Sequence, residues 1–171
     1  MLKHGDVSLR AVRNADAHIL YEAINSPSLV RFNAPFKPVH ESCHLEWLSG
    51  VLSDKTKEVF IIEHSEVSVG CIQLIDINSI HRSAELTMRI FDESCRGKGI
   101  GRSAVSLLCE HAFCDLGLVR VWLRVFSENE RAIHAYKKAE FSVEGVMKKA
   151  AFIKGAFVDV VVMARLSDDK L

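Results

Sequence analysis

The stretch Arg96-Gly97-Lys98-Gly99-Ile100-Gly101-Arg102 joins a segment that alternates like a strand to a segment with helical periodicity. In residues 84–91, apolar and polar side chains alternate, as they do in a half-buried strand. One side carries Leu86, Met88 and Ile90, and the other carries Glu85, Thr87 and Arg89. Glycines at a strand-to-helix junction allow backbone N–H groups to converge on an anion, and the helix N-terminus and nearby arginines add positive charge. The stretch therefore predicts a pyrophosphate site.

Two common phosphate loops do not fit this stretch. The Walker loop requires Gly-Lys-Ser or Gly-Lys-Thr after four spacer residues, and dinucleotide folds use G-x-G-x-x-G. Neither spacing occurs between Arg96 and Arg102, which disfavours a nucleoside triphosphate or NAD. Taken alone, the glycines also fit a plain turn that binds nothing.

Outward from this junction, the pattern predicts an α/β chain around one sheet. The predicted strands are 7–10, 58–63, 67–76, 84–91, 119–126, 146–152 and 157–166. The predicted helices cover 16–24 and 42–52, run onward from about residue 100, and run from a Ser127–Glu130 capping box to near Glu140. A helix between the strands 84–91 and 119–126 implies a crossover connection.

Composition narrows the function classes. The chain has 171 residues, 49% of them apolar, which predicts a single domain over 1–171. Lys plus Arg and Asp plus Glu are both 22, so the net charge of zero gives no overall attraction to nucleic acid or an anionic membrane. No segment reads as a signal peptide or a membrane span, and the five cysteines contain no C-x-x-C pair. We therefore expect a soluble, cytoplasmic protein with reduced thiols.

Two linked motifs resemble the GNAT superfamily of N-acetyltransferases. Arg96, Gly99 and Gly101 match its acetyl-CoA pyrophosphate signature [Q/R]-x-x-G-x-[G/A]. About thirty residues downstream, 129–141 resembles the family's N-x-x-A-x-x-x-Y-x-K-x-G-F. The resemblance is firm from about residue 67 to residue 166, and 76–85 is similar to the spermidine N-acetyltransferases. It implies the GNAT fold, a single mixed central sheet flanked by helices, with the cofactor loop at a strand-to-helix junction.

The chain departs from the family pattern at two places. Glu140 stands where the family has a glycine, so we expect the preceding helix to end without the usual left-handed residue. In the region from Asn33 to Glu46, where spermidine acetyltransferases carry an acidic cluster, the chain keeps chiefly Glu41 and Glu46. This second departure argues against a polycationic acceptor.

The resemblance implies a role for each site residue. Tyr136 is the proton donor to the leaving thiolate, and Glu85 is the base that deprotonates the amine, directly or through water. The implied cofactor-binding residues are Arg89, Ile90, Phe91, Arg96, Gly97, Lys98, Gly99, Ile100, Gly101, Arg102 and Asn129. Trp47 and the loop from Phe32 to Val39 are expected to cover the acceptor site. An acetyl-cysteine route through Cys95 is a minor alternative.

We therefore expect an enzyme that transfers the acetyl group of acetyl-CoA to a primary amine. The acceptor would be a small metabolite, a polyamine, an amino sugar or a protein N-terminus. The alternative is a non-catalytic acetyl-CoA sensor or partner module, against which the presence of Tyr136 argues. No metal site is expected, because the histidines lack ligand spacing to cysteines or acidic residues. The protein is compatible with a homodimer or a higher homo-oligomer.

Overall fold

The computed structural model describes residues 1–26, Leu29 and residues 37–167, and its centre is one eight-stranded sheet. The strand order is β1-β2-β3-β4-β5-β6-β8-β7. The strands are β1 (Leu2–His4), β2 (Val7–Ala11), β3 (Glu58–His64), β4 (Val67–Asn78), β5 (Ser83–Ile90), β6 (Arg120–Phe126), β7 (Ser142–Ile153) and β8 (Ala156–Leu166). All the predicted strands are present, whereas β1 and the first part of β7 were not predicted.

Helices cover both faces of the sheet. The described helices are α1 (Ala17–Asn25), α2 (Glu41–Ser53), α3 (Ile100–Glu110) and α4 (Glu130–Lys138). Ile62 belongs to the main core with Ala104 and Leu108 of α3, whereas its neighbour Ile61 packs with Leu20 of α1 and Leu48 of α2. The alternation of side chains along β3 thus sends successive isoleucines into separate cores. The predicted α/β class with one mixed sheet flanked by helices is confirmed.

The parallel pair β5–β6 determines the shape of the site. β5 and β6 are paired only at Ser83–Arg120, Ala84–Val121 and Glu85–Trp122. Beyond these residues, β4 still pairs with β5 as far as Ile90, and β8 still pairs with β6 as far as Phe126. Each strand therefore continues with support on its outer side only, and a wedge opens between β5 and β6.

The ends of α4 differ from two sequence predictions. The helix starts at Glu130 and is capped by Asn129, whose side chain accepts a hydrogen bond from the Ala132 N–H at 3.2 Å. The predicted Ser127–Glu130 capping box is therefore wrong, because Asn129 lies one residue before the first helical position and satisfies that donor itself.

The expected absence of a left-handed residue at the C-terminus of α4 is also wrong. Glu140 has a φ of 69° despite its side chain. The Glu140 N–H bonds to the Lys137 carbonyl and the Phe141 N–H to the Tyr136 carbonyl, the pair of bonds of a Schellman motif. Arg165 forms an ion pair with the Glu140 carboxylate. The Phe141 ring packs 5.9 Å from the Tyr136 ring, so this helix end also fixes Tyr136.

Beyond α3, the chain forms a π-helical turn over His111–Asp115 before it reaches β6. Burial opposes protonation of the His111 ring, but the hydrogen bonds that the protonated ring donates to the Asp115 and Glu58 carboxylates outweigh it and raise the pKa of His111. Each of these bonds is 2.7 Å long. His111 thus ties the end of the crossover to the first residue of β3. The described helices include none that is long and apolar enough to cross a membrane.

Candidate functional site

A cavity of about 560 Å³ occupies the wedge between β5 and β6. β5 forms one wall, β6 and α4 form the other, and the glycine loop before α3 closes one end. The residues that line it include Leu86, Thr87, Met88, Arg89, Ile90, Cys95, Arg96, Gly97, Gly99, Gly101, Arg102, Arg124, Val125, Asn129, Arg131, Ala132, His134, Ala135, Tyr136 and Lys138.

The glycine loop has the backbone geometry of an anion site. Gly97 and Gly99 have φ values of 80° and 83°, in the left-handed region that glycine tolerates best. Gly99 precedes the first residue of α3, and no side chain caps this helix end. The N–H groups of Ile100, Gly101 and Arg102 have no hydrogen-bond acceptor within the described ranges. The N-terminus of an eleven-residue helix is therefore open to an anionic ligand.

Arg96 ties this loop to β5. Its guanidinium bonds to the Glu93 carboxylate at 2.7 Å and to the Ile90 carbonyl at 3.3 Å. Asp92 stabilises the same turn by accepting from the Ser94 N–H at 2.7 Å. The arginine of the signature thus holds the turn in shape and also adds positive charge beside it.

Tyr136 lies in the opposite wall, on α4. The residue is only 8% exposed, and burial raises the pKa of its phenol to about 12. Its hydroxyl therefore keeps its proton at neutral pH. The hydroxyl forms no hydrogen bond with the described part of the chain. It is not among the fully buried polar atoms without a partner, because Tyr136 lines the cavity. The cavity is thus the place where this hydroxyl can meet a partner.

Asn129 combines a structural role with a position at the cavity. Its side-chain oxygen is the cap of α4. The amide NH₂ of the same side chain donates to no residue in the described ranges, and Asn129 lines the cavity. Capping therefore leaves its two N–H donors available to a ligand.

Glu85 is buried, unlike an ordinary carboxylate on an exposed strand face. It is 3% exposed, and Arg124 bonds to both of its oxygens, with Nε–Oε1 2.9 Å and Nη2–Oε2 3.0 Å. Glu85 itself does not line the cavity, whereas Arg124 does. Any proton transfer to Glu85 would therefore pass beside Arg124.

Three of the predicted cofactor residues lie outside the cavity lining. The Phe91 ring packs against the core formed with Leu20 and Leu48, and its N–H bonds to the Val69 carbonyl at 2.8 Å. Ile100 has its side chain in the main core, so only its backbone faces the loop. Lys98 is exposed at the tip of the loop. The remaining eight predicted cofactor residues all line the cavity.

Sequence reasoning missed several cations that line the cavity. They are Arg124, Arg131 and Lys138. No local signal marked Arg124, because a charge between Leu123 and Val125 fits the ordinary alternation of a half-buried strand. The loop and the tryptophan predicted to cover the acceptor site have different outcomes. Residues 32–36 of the loop lie outside the described ranges. The Trp47 ring stacks on His44, with ring centroids 5.3 Å apart. Among the described residues, no three His, Cys, Asp or Glu side chains are placed to hold a metal ion.

Comparisons with known proteins agree with this geometry. A family model described as an acetyltransferase (GNAT) domain matches residues 6–142. The spermidine N(1)-acetyltransferase of Escherichia coli is 32% identical over 159 residues, which is 92% of this chain and 84% of that protein.

Solved structures extend the likeness to three dimensions. The spermidine N-acetyltransferase of Vibrio cholerae in complex with CoA and spermine has a TM-score of 0.86 and 27% identity, covering 94% of this chain and 95% of that one. A dodecameric structure of the Vibrio cholerae spermidine N-acetyltransferase has a TM-score of 0.82 and 29% identity, with 94% of both chains covered.

The free helix N-terminus, the left-handed glycines and the wedge between β5 and β6 fit the phosphates and the extended arm of acetyl-CoA. The matched residues 6–142 include all of these elements. The chain belongs to the GNAT family of acetyltransferases and is an N-acetyltransferase that uses acetyl-CoA.

Proposed function

We propose that one domain carries out the whole reaction by direct attack of a primary amine on the acetyl thioester, with Tyr136 as the proton donor. The observation that carries this mechanism is the buried, protonated Tyr136 hydroxyl, which has no partner in the described chain and faces the cavity. Bound acetyl-CoA supplies the activated acetyl group. Tyr136 protonates the sulfur that leaves, and general acid catalysis of this kind contributes about 10² to 10⁴ in rate.

The N–H groups of the glycine loop and the α3 N-terminus hold the pyrophosphate in this proposal, with Arg102 adding charge. The inner edge of β5 beyond Glu85 has no strand partner, so its backbone groups are available to the pantetheine arm as if to an added strand. Asn129 donates from its free amide.

Glu85 is our candidate for accepting the amine proton. Arg124 uses one lone pair of each oxygen, which leaves acceptor capacity on both. Because Glu85 is buried, a water molecule beside Arg124 is the route by which the proton arrives. The acceptor itself is a primary amine. The relatives named above act on polyamines, which makes a polyamine one candidate acceptor.

We also infer that the enzyme works in the cytoplasm. Cys43, Cys71, Cys95, Cys109 and Cys114 are all free thiols. Free cysteines without disulfides are typical of a reducing compartment.

The first prediction concerns Gly99→Val. Acetyl-CoA should stabilise the native enzyme by about 2.7 kcal/mol at a hundredfold excess over its Kd, and the substitution should abolish this gain. A β-branched residue resists the left-handed φ of Gly99, so the N–H groups would leave their positions. The measurement is the melting temperature with and without acetyl-CoA.

Gly5→Val is the matched control for Gly99→Val. Gly5 also has a positive φ, 58°, and, as at Gly99, a Cβ atom there would meet nothing within 4 Å. It lies in the β1–β2 turn, so the variant should keep the full acetyl-CoA shift. An unchanged shift in Gly99→Val would show that the loop is not the pyrophosphate site.

The second prediction concerns Tyr136→Phe, which keeps the ring against Phe141 and removes the hydroxyl. kcat for the best amine should fall by about 10² or more, while calorimetry should give an unchanged affinity for acetyl-CoA. Tyr21→Phe, which removes the hydroxyl of the chain's other tyrosine, is the control and should keep wild-type kcat. A loss in Tyr136→Phe below about threefold, or about 0.7 kcal/mol, would remove Tyr136 from the chemistry.

We propose further that the chain self-associates through the β7–β8 hairpin. β7 is an edge strand, and apolar side chains stand exposed along the hairpin. They include Val143, Val146, Met147, Phe152 and Phe157. An exposed, apolar edge of this length is a surface that proteins usually cover. The dodecameric Vibrio cholerae relative supports assembly as the means of covering it.

The third prediction tests this assembly by light scattering. Wild-type protein should have a mass of at least twice the 19.1 kDa of one chain, and Phe152→Glu/Phe157→Glu should lower it. The two rings lie 5.0 Å apart, so the paired charges fall within one patch. Ile80→Glu is the control, since Ile80 is an even more exposed apolar residue and lies in the β4–β5 turn. A monomeric wild type, or a double variant of unchanged mass, would contradict the proposal.

A further inference from the structure

Arg124 places a positive charge in the cavity beside Glu85, away from the glycine loop. This charge is not needed to bind the pyrophosphate of acetyl-CoA. Its side chain is bound on one edge by Glu85 and lies over the Trp122 ring, with Cζ 5.7 Å from the ring centroid. The side chain is nevertheless 52% exposed and lines the cavity. The bonds to Glu85 use one N–H of Nε and one of Nη2, so three of the five guanidinium N–H donors have no acceptor among the described residues.

The position of Arg124 separates it from the pyrophosphate. Glu85, its partner, is the last β5 residue paired with β6, and therefore marks the narrow end of the wedge. Ile90 ends β5, and about 16 Å of extended strand lies between Glu85 and Ile90. The glycine loop with Arg96 and Arg102 follows only after Ile90. The charge of Arg124 thus belongs to the end where the amine arrives.

The surroundings provide little to attract a polycation. The cavity lining contains Arg89, Arg96, Arg102, Arg124, Arg131 and Lys138, and its described residues include no Asp or Glu. Glu85, the carboxylate at the narrow end, is already paired with Arg124. A second ammonium group on the acceptor would therefore meet the positive charge of Arg124 and no free carboxylate among the described lining residues.

We propose that Arg124 determines acceptor specificity, selecting a primary amine that carries a carboxylate over a polyamine. This inference rests on the proposed direct-attack function. Glu85 and Arg124 together present one acceptor and one donor group, the complement of an amine with a nearby carboxylate. The free Nη1 edge of Arg124 binds the carboxylate through charge-assisted hydrogen bonds, while the amine lies toward Glu85 and the thioester.

The test compares two matched series of acceptors. ω-Amino carboxylates and α,ω-diamines of equal chain length differ only in the charge at the far end. Acetylation is followed as release of CoA, detected with a thiol reagent. Wild-type kcat/KM should favour the amino carboxylate by at least about tenfold at the best chain length. Arg124→Leu should lower kcat/KM for the amino carboxylate by at least about tenfold more than it lowers kcat/KM for the diamine, so that the preference is lost.

Arg131→Leu is the matched control, because Arg131 lines the same cavity from α4. It should lower turnover of both series by the same factor and leave their ratio unchanged. Since Arg124→Leu leaves Glu85 buried without its partner, the double variant Glu85→Gln/Arg124→Leu should also be measured. This pair removes both charges, and it should also lose the carboxylate preference in whatever turnover remains.

A wild-type enzyme that favours the diamines would overturn the inference and leave the acetyltransferase mechanism intact. An equal loss for both series in Arg124→Leu would do the same. Acetylation of neither series, by protein that still binds acetyl-CoA, would overturn the inference together with the proposed primary-amine acceptor.

Discussion

The short parallel ladder between β5 and β6 is the constraint on which the rest of the site depends. Three residue pairs join these strands, and then each strand continues with a partner on its outer side only. An unpaired strand edge inside a protein is costly unless something satisfies its N–H and C=O groups. Here the open edges face a cavity of about 560 Å³, so a ligand can satisfy them. The same separation brings α4 and Tyr136 opposite β5, which a fully paired sheet would not allow.

Around this wedge, the charges fall into two groups with different tasks. At the wide end, the left-handed glycines and the uncapped start of α3 create a site for a doubly charged group, and Arg96 is partly neutralised by Glu93 while it ties the turn to β5. At the narrow end, a single buried carboxylate is held by a half-exposed arginine. The phenol of Tyr136 stays protonated, because burial raises its pKa to about 12. Anion binding, proton donation and acceptor recognition thus occupy separate places along one cleft.

Much of this arrangement could be predicted from local sequence signals. Alternation in 84–91 and helical spacing after Ile100 located β5 and α3, and the glycines between them located the loop. The capping-box error was local, because Asn129 caps the helix in place of Ser127, but the other failures depended on contacts between distant parts of the chain. The left-handed Glu140 is held by Arg165, and the burial of Glu85 depends on Arg124, a residue 39 positions away. Nothing local in either residue indicates these partners. The short ladder of three residue pairs likewise depends on where β5 and β6 meet. The alternation of side chains along a strand does not indicate where its pairing with another strand ends.

Amide hydrogen exchange with and without CoA tests most directly whether the open edge of β5 is the cofactor site. Exchange should slow on binding in two separate stretches, residues 86–90 of β5 and residues 97–102 of the loop and the first turn of α3. These two stretches contain the amides that face the wedge or lack acceptors among the described residues of the ligand-free fold. A second cavity of about 600 Å³, lined in part by Ser106, Glu110 and Arg165, lies beside the other face of α3. Protection confined to residues around that cavity, with 86–90 unchanged, would contradict the account.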